Sequence, residues 1–130
     1  MASYRVTFVK AERLCSKKII TVLFEKGRSF FHSSLQVIWI LGSDTSPFPA
    51  QVAFSVSKKT FRNAVTRNII KRRLREAYRK NKHVLYKHLL EKEKKISFFI
   101  IYKGTSVPDY QSLEKTVREV IGKLIRIVNE

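Results

Sequence analysis

Between residues 17 and 26 the apolar side chains Ile19, Ile20, Leu23 and Phe24 recur at one-and-four spacing, which lines them up on one stripe of a short helix. Gly27 supplies its stop. Residues 29–41 are rich in β-branched and aromatic side chains with a break at Ser33 and Ser34, a pattern that predicts two strands. The run Val37, Ile38, Trp39, Ile40, Leu41 predicts burial on both faces of the second. Residues 42–50, with Pro47 and Pro49, read as a loop. Val52, Phe54 and Val56 then alternate with Ala53, Ser55 and Ser57, the period of two that marks a third strand with one small, polar face open to a ligand.

A long helix is expected to start near Asn63 and to run at least to Arg79 and on towards Leu90, because only the weak former Asn81 interrupts it. Residues 91–95 form a charged linker. The apolar run 96–102, bounded by charges and Gly104, predicts a fourth, buried strand. Pro108 and Asp109 open a last helix that carries Leu113, Val117, Ile121, Leu124 and Val128 on one face, with Asp109 as its N-cap. The expected fold class is therefore α+β, in the order α-β-β-β-α-β-α, with one four-stranded sheet covered by helices. At 130 residues and 44% hydrophobic content, residues 1–130 are expected to form a single domain.

Charge sharpens the picture, since 27 Lys and Arg face 10 acids and leave a formal charge of +17. Such a chain calls for a polyanion, with nucleic acid as the first candidate and an anionic membrane surface as the second. The apolar runs are too short to span a bilayer. The first ten residues lack an apolar stretch followed by a small-residue cleavage site, so no secretory signal is expected and the protein is placed in the cytoplasm. Cys15 stands alone, and His32, His83 and His88 are scattered without metal-ligand spacing. No metal site and no catalytic residue is expected on the protein.

The cations concentrate in residues 55–80, SVSKKTFRNAVTRNIIKRRLREAYRK. Stepping about 100° per residue, Ile70, Leu74 and Ala77 fall on one narrow arc that must face the sheet. Asn68, Lys71, Arg72, Arg75 and Arg79 share a second arc about 100° wide, and Arg67 lies at the border. A run of charge is usually no more than a solvated face. Here, however, Glu76 is the only acid between Ser55 and Lys80, so the repulsion is not compensated by i,i+4 pairs. The choice of Arg, whose planar fork engages phosphate oxygens in pairs, also favours binding.

At these residues the chain resembles the bacterial ribonuclease P protein family. The resemblance rests on Ser55, Val56, Ser57, Lys58 and Lys59 at the strand end, followed by Ala64, Val65, Arg67, Asn68, Lys71, Arg72, Arg75 and Glu76. It departs from the family pattern at Ile69, where members carry a second arginine, and in the connection Thr60, Phe61, Arg62, Asn63, which many members make shorter with a glycine. The resemblance implies the protein subunit of a ribonucleoprotein endonuclease, a hydrolase that removes the 5′ leader of precursor tRNA. Catalysis would then lie with the RNA subunit, which holds the Mg2+ ions, and the protein alone would be inactive. RNA binding would fall to Lys58, Lys59, Arg67, Asn68, Lys71, Arg72, Arg75 and Arg79. A cleft between the first helix and the sheet would receive the single-stranded leader at Ile20, Phe24 and Ile38, with Trp39 or Phe54 as neighbours. The implied partners are the ribonuclease P RNA and precursor tRNA, with no membrane and no DNA.

Three other readings have distinct signatures. A structural RNA binder such as a ribosomal protein would share the basic helix but show no preference for a leader-bearing tRNA. A DNA-binding regulator would place the Arg-rich helix after another helix and a tight turn, whereas here a strand and a loop precede it. A nuclease acting alone would need converging carboxylates for its metal ions, and the ten acids are dispersed.

Overall fold

The computed structural model describes residues 12–14, 16–42 and 48–130; Cys15, Pro47 and the first eleven residues lie outside it. The elements follow the expected order: α1 (Lys17–Lys26), β1 (Arg28–His32), β2 (Leu35–Leu41), β3 (Ala50–Val56), α2 (Ala64–Glu91), β4 (Ile96–Tyr102) and α3 (Tyr110–Asn129). Ser16 caps α1 by accepting from the Ile19 N–H, and Asp109 caps α3 by accepting from the Ser112 N–H at 3.2 Å. Each cap satisfies a backbone donor that the first helical turn leaves unpaired.

The four strands form one mixed sheet in the order β1-β2-β4-β3, antiparallel except for the β3–β4 pair. Strand parity then sorts the side chains into two layers. Leu35, Val37, Ala50, Val52, Val56, Ile96, Phe98, Ile100 and Tyr102 meet α2 and α3 in the main core. On the other face Ile38 and Leu23 form a small satellite core with Leu14, flanked by Ile19, Ile20, Ile40, Ala53, Phe99 and Ile101. Helix α1 therefore covers only part of that second face, and the small side chains expected there, Ala53 and Ser55, remain half-buried.

Gly27 ends α1 for a reason other than a left-handed turn. Its φ is −68°, but a Cβ at this position would strike the Leu23 carbonyl oxygen and stand 2.9 Å from Ile38 Cγ2. The glycine lets the helix end touch down on the sheet. The long helix α2 runs unbroken to Glu91, and past its end the Lys94 ammonium donates to the Val128 carbonyl at 2.8 Å, tying the linker to the last turn of α3.

One buried group runs against the solvated reading of lysine. Lys82, 2% exposed on the core side of α2, pairs with Glu12, 1% exposed, and the Tyr86 hydroxyl donates to the same carboxylate. The segment carrying Glu12 lies along the outer edge of β3, where Arg13 bridges Val52 and the Leu14 N–H donates to the Val52 carbonyl at 2.9 Å. Burial pushes the Tyr78 and Tyr86 hydroxyls well above the usual phenol range, so both stay protonated.

Candidate nucleic-acid interface

The interface begins where β3 leaves the sheet. The Ser57 hydroxyl accepts from the Lys59 N–H at 3.2 Å and the Phe61 N–H donates to the Ser57 carbonyl at 3.0 Å, winding residues 57–61 into a compact turn. Phe61 tucks inward, 9% exposed, with its ring 6.1 Å from that of Tyr102. Anchored by that ring, the turn holds Lys58, Lys59 and Arg62 outside. Asn63 then caps α2 by accepting from the Val65 N–H at 2.8 Å. Phe61 thus fills the altered connection with an apolar anchor.

Along α2 the helical stepping holds. Ile70, Leu74 and Ala77 are fully buried, Asn68, Arg72 and Arg75 are exposed, and Lys71 and Arg79 are half-buried. Two arginines are less free than the sequence suggests. Arg67 donates through Nη1 to the carbonyls of Phe61 at 2.8 Å and Arg62 at 2.9 Å, so its guanidinium also fastens the turn before the helix. Arg79 donates through Nε to Glu76 at 3.0 Å, and that bond holds the Glu76 carboxyl below the usual carboxylate range. The one acid of the segment is thereby neutralised within the helix. What remains is a row of cations without a matching row of anions, suited to phosphate oxygens. Ile69 is half-buried beside it.

The partly covered face of the sheet supplies the second surface. Register places Phe31, Gln36, Ile101 and Ser55 in one row across the four strands, and Ser29, Ile38, Phe99 and Ala53 in the next. Phe24 projects from α1 over this face, 56% exposed, with its ring 5.5 Å from Phe99. Ile20 is half-buried beside it, whereas Ile38, 8% exposed, lies in the satellite core and forms the floor of the groove. Trp39 and Phe54 are not neighbours of this groove. Both point through the sheet to the main core, and Phe54 meets Tyr78 of α2 edge-on at 5.9 Å. Phe99 and Phe31, the latter 64% exposed, are the aromatic side chains that sequence reasoning missed. Parity within a strand could not have found them alone, because the register that brings Phe31 and Phe99 onto the face of Ile38 is set by strand pairing.

The row of Phe31 and Ser55 lies at the end of the sheet from which Lys58 and Lys59 depart, so the aromatic groove and the basic turn adjoin. Exposed bases can stack on aromatic rings while the turn and helix hold phosphates, a combination that binds single strands with little sequence preference. The histidines are engaged elsewhere or scattered: His32 faces Glu119 at 3.1 Å and His88 approaches Asn129. Among the described residues no three of His, Cys, Asp or Glu gather into a set that could hold a metal ion. No helix among them is long and apolar enough to cross a membrane.

Comparison with known proteins converges on one family. The family model described as Ribonuclease P matches residues 8–125. The chain is 36% identical over 118 residues to the ribonuclease P protein component of Porphyromonas gingivalis, covering 91% of this chain and 84% of that protein. It is 35% identical over 121 residues to the ribonuclease P protein component of Streptococcus gordonii, covering 93% and 92%. The fold is that of the RNase P protein of Staphylococcus aureus, with a TM-score of 0.68 at 22% identity, covering 92% of this chain and 99% of that one. The RNase P protein of Thermotoga maritima superposes equally well, with a TM-score of 0.68 at 20% identity over 86% and 96%. With most of its length matched by the family model and by curated relatives above 30% identity, the chain belongs to the ribonuclease P protein family.

Proposed function

We propose that this protein binds the RNA subunit of ribonuclease P through the basic turn and the exposed side of α2, and receives the 5′ leader of precursor tRNA in the groove between α1 and the sheet. The observation that carries the reading is the contiguity of two surfaces. Lys58, Lys59, Asn68, Lys71, Arg72 and Arg75 present phosphate-binding groups, and the adjoining groove presents Phe24 beside Phe99. A backbone-tracking basic strip next to a stacking platform is what a single-stranded leader extending from a folded RNA requires. Stacking on such rings contributes about 1 to 3 kcal/mol per base. Mg2+ in this reading is held mainly by the RNA, and cleavage is the RNA's chemistry. The protein supplies binding and, by neutralising phosphates that otherwise repel one another, lets the RNA hold its active fold at lower magnesium.

The test is reconstitution with a ribonuclease P RNA and a precursor tRNA at low magnesium. Added protein should restore cleavage at the mature 5′ end, while rigorously RNA-free protein should not cleave at any magnesium concentration. The Phe24→Ala protein should fold normally, because that ring is largely exposed, and should lose affinity for precursor relative to mature tRNA. Equal weakening of both substrates would remove the leader from the groove. Cleavage by the protein alone would overturn the division of labour.

A further inference from the structure

Arg73 is turned away from the basic ridge of α2 and donates through Nη1 to the Pro108 carbonyl at 2.6 Å, just before α3 begins. Between this flank of α2 and the first turn of α3 lies a notch of about 310 Å³ lined by Arg72, Arg73, Glu76 and Tyr110. The Lys80 ammonium stands over the Tyr110 ring at 5.3 Å from its centre. The two carboxylates nearby are already engaged: Glu76 is bound by Arg79, and Asp109 caps α3. The Tyr110 hydroxyl, sealed from solvent, has no hydrogen-bond partner among the described residues. A buried hydroxyl without a partner is destabilising and calls for an explanation.

We propose that this notch is a second phosphate-binding site, in which Arg72, Arg73 and the Tyr110 hydroxyl hold a backbone phosphate of the RNA on the flank of α2 beside α3. It rests on the reading of the chain as an RNA binder. By helical stepping Arg73 and Lys80 lie roughly 130 to 150° round α2 from the centre of the ridge, so a phosphate there belongs to a different stretch of backbone from the one on Lys71 and Arg75. A guanidinium fork and a phenolic O–H match the oxygens of a phosphodiester. Lys80, long and flexible, can swing from the ring to the arriving charge, and the Tyr110 side chain turns to bring its sealed hydroxyl into the notch. The RNA would then grip α2 from two sides and clamp the junction of α2 with α3.

Tyr110→Phe tests the proposal, because it deletes one oxygen and no charge. In the free protein the melting temperature should stay the same or rise, since the lost atom had no partner. Affinity for the ribonuclease P RNA of Porphyromonas gingivalis should fall at least fivefold, with the slope of log affinity against log salt unchanged. Arg73→Gln should reduce that slope by about 1. The ridge variant Arg75→Gln, measured alongside, separates the two readings. If Arg75→Gln weakens binding and Tyr110→Phe does not, the notch is refuted and the ridge stands; if neither weakens it, both are refuted. A large drop in melting temperature for Tyr110→Phe would show that the hydroxyl has an internal partner, and would also overturn the proposal.

Discussion

Arg67 is asked to do two things with one guanidinium. Position on α2 puts it at the border of the basic ridge, and its Nη1 is spent on the carbonyls of Phe61 and Arg62, so the residue both shapes the turn and stands beside the surface proposed for RNA. Charge-assisted bonds of this kind contribute roughly 1.5 to 3 kcal/mol each when a partner is lost, with the lower end fitting a half-buried side chain. Arg67→Ala is therefore expected to lower both stability and RNA affinity, by about 1 to 2 kcal/mol in the first. Arg75→Ala, fully outside, should lower affinity while changing stability by no more than about 0.5 kcal/mol. Urea unfolding and RNA titration on both variants check this pair. An Arg67→Ala protein as stable as its parent would mean that the turn does not need the side chain. The helical stepping that located Arg67 could not reveal its carbonyl partners, because those belong to a loop whose path depends on Phe61 finding Tyr102 across the core.

At the scale of elements, the placement of α1 depends on what precedes it. Residues 12–14 extend the sheet beyond β3, bury Leu14 under α1 and deliver Glu12 to Lys82 in the main core. Removing one member of a buried pair leaves a stranded charge and typically costs about 3 to 5 kcal/mol. Glu12→Gln should destabilise the protein by that order, and the double change Glu12→Met with Lys82→Met should recover part of it, since apolar replacement of a buried pair is often neutral although the Tyr86 hydroxyl still loses its acceptor. A single variant costing less than about 1 kcal/mol in urea unfolding would show that the pair is held loosely. The periods of two and 3.6 made the order of elements legible, and residue type made the cap at Asp109 so, whereas Asn63 was placed near the start of α2 but not as its cap. The periods did not say which parity of an all-apolar strand faces which layer. Hence Trp39 was expected near the groove and lies in the core, whereas Phe54 could have been placed from the small Ala53 and Ser55 opposite it. Lys82 also carried a usable signal: with Tyr78, Leu85, Tyr86 and Leu89 it falls on an arc of about 100°, and a lysine inside such an arc needs a partner.

The whole molecule carries +17 with 10 acids among 130 residues, and several of those acids are occupied internally: Glu12 by Lys82, Glu76 by Arg79, Glu114 by Arg118 and Glu119 by His32. The field outside is consequently positive, and RNA affinity should depend steeply on ionic strength through counterion release. Five cations of the turn and ridge, Lys58, Lys59, Lys71, Arg72 and Arg75, are candidates for direct phosphate contact. At about 0.9 counterion per phosphate on a duplex, log affinity should fall with log salt at a slope of about −4 to −5. Arg79 is the internal control. Its bonds to Glu76 leave the pair electrically neutral, so Arg79→Gln should change the slope less than Arg75→Gln, although the two residues share one face of α2. Titrations of the RNA subunit at four or five salt concentrations decide the matter. A flat profile would exclude the ridge as a phosphate surface, and equal slopes for the two variants would mean that Glu76 releases Arg79 when RNA arrives.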